Sequence, residues 1–300
     1  MKKKTVGIML SLSMAMSLMA CGSSTQPAAA SVDTEEPAAT TQAASTAEAT
    51  ASSTEAAADT AASTADVTTI KDGTLMVGVE IGYPPMEYFD TDGATPIGFD
   101  VEVANALADY LGLELVDTSW DGIFAGVDTG KYDCMISCVS ITDERKEQFN
   151  LTKPYVSNHT VLIVPNDSEI DSMEALNGHS TAVQAETTAD DYMKEHSAEL
   201  GAELFQYDKV INCFDDLKAG RTDSVFTDSV VAAYYLGDEA SNYKTVWEND
   251  ELEPIGICLK KGNDGLTQAI DDALDALSAD GTLGTIAEKY FGTDLTAGLR

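Results

Sequence analysis

From Val67 onward, short apolar runs alternate with stretches whose apolar residues recur at helical spacing, the pattern of an α/β protein. Residues 75–79 read as a strand. Residues 99–111 place Val103, Ala104, Leu107, Ala108 and Leu111 on one helical face, with Gly112 as the stop. Residues 113–116 form the next strand, 123–127 a short helix and 134–139 another strand. Thr142 then caps a helix whose first turn carries Asp143 and Glu144, where acids suit the helix dipole. A second series follows Pro154: a strand at 160–164, a short helix at 172–177 closed by Gly178, a strand at 180–183, and a helix capped by Thr187 or Thr188 and running to Leu200. A strand at 204–207, a helix ending at Gly220, a strand at 224–226 and a helix over 228–236 complete it. Residues 255–259 return as a strand before helices at 266–277 and 283–290. Two serial α/β units of about a hundred residues each imply two lobes and a cleft, where ligands of such proteins sit.

The N-terminal segment changes this picture. Lys2, Lys3 and Lys4 precede an apolar stretch over 6–20 that is short for a bilayer span. It ends in Leu18-Met19-Ala20-Cys21, which resembles the bacterial lipobox, where a small residue precedes a cysteine that is diacylated and becomes the mature N-terminus. Residues 1–20 are thus expected to be a lipoprotein signal peptide. Cys21 would anchor the chain to the extracellular side of a bacterial cell membrane. Residues 22–66 are almost entirely Ala, Thr, Ser, Pro, Asp and Glu, without lysine, arginine or aromatics, so they cannot bury a core. They read as a tether with a root-mean-square span of roughly 35–40 Å, and residues 67–300 as the folded module.

The formal charge of −34, from 17 basic and 51 acidic residues, repels phosphate backbones and argues against nucleic acid as a partner. With Cys21 assigned to lipid, Cys134, Cys138, Cys213 and Cys258 remain. If 134–139 is one strand, the α-carbons of Cys134 and Cys138 lie about 13 Å apart and cannot be bridged. Other pairings stay open, and small buried hydrophobes is the simplest role for all four. His159, His179 and His196 show no zinc-like spacing with them, so no metal and no cofactor is expected.

Several motifs occur in a fixed order: Leu75-Met76-Val77-Gly78-Val79-Glu80, Gly82-Tyr83-Pro84-Pro85-Met86-Glu87-Tyr88, Ile97-Gly98-Phe99-Asp100-Val101-Glu102, Trp120-Asp121-Gly122-Ile123, Gly130-Lys131-Tyr132-Asp133, Ser140-Ile141-Thr142-Asp143-Glu144-Arg145 and Ala279-Asp280-Gly281-Thr282-Leu283. Together they closely resemble the family 3 bacterial extracellular solute-binding proteins, the polar amino-acid binders of ABC importers, over 67–293. The resemblance implies a type II periplasmic-binding-protein-like fold: two α/β lobes joined by two hinge strands that close on a ligand. Lobe one would comprise 67–154 and 257–300, lobe two 160–251, with crossings near 155–159 and 252–256. The implied partners are a small amino acid and the permease subunits of an importer, the protein itself acting as a monomer and not as an enzyme.

The resemblance also assigns roles. Arg145 matches the arginine that grips the ligand's α-carboxylate with a planar two-pronged donor; a surface ion pair with Asp143 or Glu144 is the competing reading. Thr188, with Thr187 at the same helix start, matches a position that adds donors to that carboxylate. Asp228 matches the acid that accepts from the α-ammonium, with a plain helix cap as its alternative. Ser140 and the backbone around Cys138 supply further polar contacts. Tyr83 and Trp120 match aromatics that sandwich the ligand side chain. Glu80 matches the far end of that pocket, bordered by Gln184 and Thr227, where a carboxylate suits lysine, arginine or ornithine and, through hydrogen bonds, glutamine. Two departures stand out: Glu186 replaces a usual glycine, and Cys138 stands where glycine is common. The rival readings are a glutamine or cystine binder of the same class, a dehydratase with Glu80 as general acid or base, and a receptor input module.

Overall fold

A computed structural model describes residues 68–108 and 112–300. The expected signal peptide, Cys21, the tether and Leu111 lie outside the described residues. The chain runs through β1 (Thr74–Val79), β2 (Tyr88–Phe89), β3 (Pro96–Ile97), α1 (Phe99–Leu107), β4 (Gly112–Asp117), α2 (Trp120–Thr129), β5 (Cys134–Met135), α3 (Asp143–Gln148) and β6 (Phe149–Leu151). It continues through β7 (Val156–Asn158), β8 (Thr160–Pro165), β9 (Ser180–Gln184), α4 (Thr188–Leu200), β10 (Glu203–Tyr207), α5 (Val210–Lys218), β11 (Ser224–Asp228), α6 (Ser229–Leu236) and β12 (Tyr243–Glu248). It ends with β13 (Glu253–Ile255), β14 (Cys258–Lys260), α7 (Asp264–Ala279) and α8 (Thr282–Phe291).

Two five-stranded sheets result, ordered β4-β1-β5-β14-β6 and β10-β9-β11-β8-β12. In each, three strands are parallel, as βαβ crossovers require, the fourth strand runs against them, and the fifth pairs antiparallel with the fourth. Between the sheets β7 pairs with β13, Val156 facing Ile255 and Asn158 facing Glu253, so the outgoing and returning chains form a two-stranded hinge. The architecture is the two-lobed, type II periplasmic-binding-protein-like α/β fold.

The apolar spacing read from the sequence is the buried face of these elements: Val77, Val79, Phe99, Val103 and Ala104 in lobe one, and Leu162, Val164, Val183, Met193 and Phe226 in lobe two, are nearly inaccessible. Close approach is enforced where a ring needs room. The Tyr132 ring lies against Gly78 of β1 and Gly126 of α2, where any Cβ would collide with it, and its hydroxyl donates to Ile123 O. That contact seats α2 on β1 and so fixes Trp120 relative to Glu80.

Four local expectations are corrected. Helix α1 stops at Leu107, and Gly112 opens β4 instead of ending a helix, because its N–H is taken by Gly73 O across the β1–β4 ladder. The strand expected over 134–139 ends at Met135, because the chain turns at Cys138, which has φ +46°. The strand expected over 255–259 is two strands, β13 in the hinge and β14 in the sheet. Strand β12, at the edge of lobe two, had no counterpart in the reading. The four cysteines are buried and free.

Candidate functional site

The site is assembled at chain ends that face the cleft. Glu80 follows β1, Trp120 opens α2, Cys138 and Ser140 lie in the turn after β5, and Arg145 sits in α3, whose cap Thr142 accepts from the Arg145 N–H at 3.1 Å. From lobe two come Gln184 at the end of β9, Thr187 and Thr188 at the start of α4, and Asp228 at the end of β11. Thr187 caps α4, its hydroxyl accepting from the Asp190 N–H at 3.2 Å. Ten of the eleven side chains expected from the sequence line one cavity, together with Ser137. Thr227 does not line it and is buried in β11.

Arg145 is half-buried, its guanidinium 5.0 Å from the ring centre of Phe124 and 5.8 Å from that of Trp120. Its side chain donates to Ser140 O at 3.0 Å and joins no ion pair among the described residues, so neither Asp143 nor Glu144 is its partner. Burial lowers its pKa, with Glu253 opposing the shift. Phe124 was not expected here, although its position one helical turn after Trp120 was a usable signal.

Asp228 stands at the cap position of α6, but its carboxylate makes no cap bond and the helix begins at Ser229. Instead Oδ2 accepts from the Tyr83 hydroxyl at 2.5 Å and faces the Cys138 thiol at 3.6 Å, while Oδ1 accepts from Asn158 Nδ2 at 2.7 Å. Burial, then the charge of Glu253, pushes its pKa up to about 7. Asn158, a hinge residue, carried no sequence signal. Burial and the neighbouring Asp228 also push the Cys138 thiol far above its ordinary range, which keeps it an unreactive thiol.

Glu80 is nearly inaccessible and burial raises its pKa to about 7, against the bond from Gln184 and the charge of Lys209. Gln184 Nε2 donates to Glu80 Oε2 at 2.8 Å and to Asp208 O at 3.2 Å, whereas Gln184 Oε1 is buried with no partner. The cavity lining therefore combines a cationic donor, Arg145, with the acceptors Glu80, Gln184 and Asp228 and the rings of Tyr83 and Trp120. No group of His, Cys, Asp and Glu suited to a metal occurs among the described residues, and no helix among them is long and apolar enough to cross a membrane.

Glu186 turns its side chain to solvent, but its backbone closes the cleft: its O accepts from Trp120 Nε1 at 3.0 Å and its N–H donates to Asp190 Oδ2 at 2.7 Å. It does so at φ +63°. A non-glycine residue there costs about 1–2 kcal/mol, offset by about 0.4–1 kcal/mol of extra unfolded-state freedom in glycine. Glu186→Gly is accordingly expected to stabilise the fold by roughly 0.5–1 kcal/mol. A denaturant midpoint that falls would show that the side chain, not the backbone, matters there.

The sequence profile of the bacterial extracellular solute-binding proteins, family 3, matches residues 75–293. The chain belongs to this family. Among curated proteins, the L-cystine-binding protein TcyJ of Escherichia coli (strain K12) is 33% identical over 228 residues, covering 75% of this chain and 85% of the relative. The L-arginine-binding protein of Pseudomonas aeruginosa is 30% identical over 240 residues, covering 76% and 92%. Among solved structures, an ancestral arginine-binding protein bound to arginine aligns with a TM-score of 0.70 at 35% identity, over 73% of this chain and 99% of that one. These relatives are substrate-binding proteins rather than enzymes.

Proposed function

We propose that this protein is the substrate-binding component of an amino-acid ABC importer and that its ligand is a free amino acid with a cationic side chain: lysine, arginine or ornithine. The observation that carries the side-chain reading is the pair of buried acceptors in the cavity lining, the Glu80 carboxylate and the unpartnered Gln184 Oε1, neither joined to a cation in an ion pair among the described residues. A side-chain ammonium or guanidinium supplies the missing donors and the missing charge. Arg145 with the α4 start would hold the α-carboxylate, Asp228 the α-ammonium, and Tyr83 and Trp120 the aliphatic stem. Lobe one is taken as 67–154 and 257–300 and lobe two as 160–251, closing about the hinge when ligand bridges them. Cys21 would anchor the chain by lipid, with 22–66 as tether and the module working as a monomer on the extracellular side of the cell membrane.

A thermal-shift and calorimetry panel of the common amino acids on residues 67–300 tests this. A ligand at 100 times its dissociation constant adds about 2.7 kcal/mol, and so about 5–10 °C to Tm in a module of this size. Stabilisation by lysine, arginine or ornithine is the expected result. Stabilisation by cystine or glutamine alone keeps the class and overturns the cationic assignment, while silence across the panel favours the enzyme or receptor reading.

A further inference from the structure

Beneath the floor of the cavity two carboxyl groups share one buried space. Glu87, between β1 and β2, and Asp100, in the first turn of α1, are both fully inaccessible. Ser137 Oγ donates to Glu87 Oε1 at 2.5 Å and accepts from the Glu80 N–H at 3.1 Å. Asp100 Oδ2 accepts from the Cys138 N–H at 2.8 Å, and its Oδ1 from the Tyr155 hydroxyl at 2.7 Å. Glu87 Oε2 is buried and meets no N–H or O–H group, while the Asp100 carboxyl lies within hydrogen-bond reach of Glu87. The titratable groups around the pair are Glu80 at the end of β1, Cys138 in the turn after β5 and Tyr155 at the entry to β7, none of them a cation. No lysine, arginine or histidine among the described residues forms an ion pair with either carboxyl. Two ionised carboxylates cannot coexist at such range in a dry site, so one retains a proton.

We propose that Glu87 carries that proton and donates it to Asp100, and that this acid–carboxylate pair positions the Ser137–Cys138 turn in the cavity floor and ties it to Tyr155 beside the hinge. The orphaned Oε2 becomes a donor, and Asp100 gains a third hydrogen bond to stabilise its charge. Burial and the charge of Asp100 hold Glu87 well above the usual carboxylate range, and burial brings Asp100 to about 6, so the pair bears a single negative charge at neutral pH. Glu87 is a positioning residue: its side chain does not line the cavity and acts on it through Ser137 and, by way of Asp100, through the Cys138 N–H. The pair is read from the fold, and only its effect on binding rests on the proposed ligand site.

Three readouts on the full folded module test this. The infrared difference between wild type and Glu87→Gln at mildly alkaline pH should contain the C=O band of a buried protonated carboxylic acid. A carboxyl protonated in the fold but ionised when unfolded loses stability as pH rises from its unfolded value near 4.5 toward its folded one. Glutamine donates a comparable hydrogen bond without a titrating proton, so the Tm of Glu87→Gln relative to wild type should climb between about pH 5 and about pH 8. Glu87→Ala should weaken binding of L-arginine about tenfold or more, and Glu87→Gln should restore it to within about threefold. An absent band, or a Tm difference that does not change with pH, overturns the proposal. So does a glutamine variant that binds no better than the alanine one. Should the alanine variant not fold, or L-arginine not bind, the infrared band and the Tm trend decide alone.

Discussion

Arg145→Ala is expected to weaken ligand binding by on the order of 10²–10³-fold while leaving the ligand-free module folded. The guanidinium lies against the faces of Trp120 and Phe124, makes one side-chain hydrogen bond, to Ser140 O, and joins no ion pair among the described residues. A buried cation without an anion is costly by itself, and an α-carboxylate held by its two-pronged donor relieves that cost. Removing one partner of such a pair costs about 2–5 kcal/mol in affinity. Without ligand the same substitution removes an unpaired, partly desolvated charge, so Tm should hold or rise while the ligand-induced shift disappears. Arg145→Lys should fail nearly as badly, since a point charge cannot make the forked contact. Titration calorimetry showing binding within about threefold of wild type in Arg145→Ala would remove this residue from the carboxylate site.

The second large effect is on pH. Glu80 and Asp228 both have pKa values raised to about 7, burial being the first cause in each. A cation binds the ionised forms, so below pH 7 each carboxyl must release a proton before it can pair. Affinity for lysine or arginine should therefore fall as pH drops, by up to about tenfold per unit for each group and about 100-fold for the two together. Glu80→Gln should weaken a cationic ligand by roughly 30- to 1000-fold and reduce the slope to that of Asp228 alone. A neutral ligand such as glutamine would show the single slope already in the wild type and tolerate Glu80→Gln, so the slope reports the side-chain charge independently of the amino-acid panel. The sign for the ligand-free module is opposite. Raised carboxyl pKa values stabilise the fold fully only below the unfolded values near 4, and that contribution is lost as pH rises through 7, which ligand then reverses.

How much of this was legible in the chain is clearest from single residues. The caps Thr142 and Thr187 and the apolar face of α1 are local signals, so they could be read, whereas the packing of Tyr132 on Gly78, 54 positions away, could not. Arg145 and Asp228 were placed by motif, but their surroundings were not. Asp228 resembled a helix cap because sequence shows only the residue's own element, whereas its hydrogen bonds come from Tyr83 some 145 positions away and from Asn158 70 positions away. The strand expected over 134–139 looked continuous because all its side chains but Ser137 are apolar, and the turn at Cys138 is held by Asp100 from another element. Glu87 and Asp100 lay within the motifs, yet nothing in their spacing says that they meet.

Sequence by itself determined the α/β class, the two lobes, the family and ten of the residues that line the cavity, because periodicity, capping and motif order are properties of neighbours along a chain. Tertiary structure alone decided which polar atoms are left over: the unpartnered Gln184 Oε1, the Arg145 guanidinium without an ion pair and the proton that two buried acids must share. Those are properties of desolvation and of partners brought together across the hinge, and burial costs and satisfied hydrogen bonds exist only once the chain has folded.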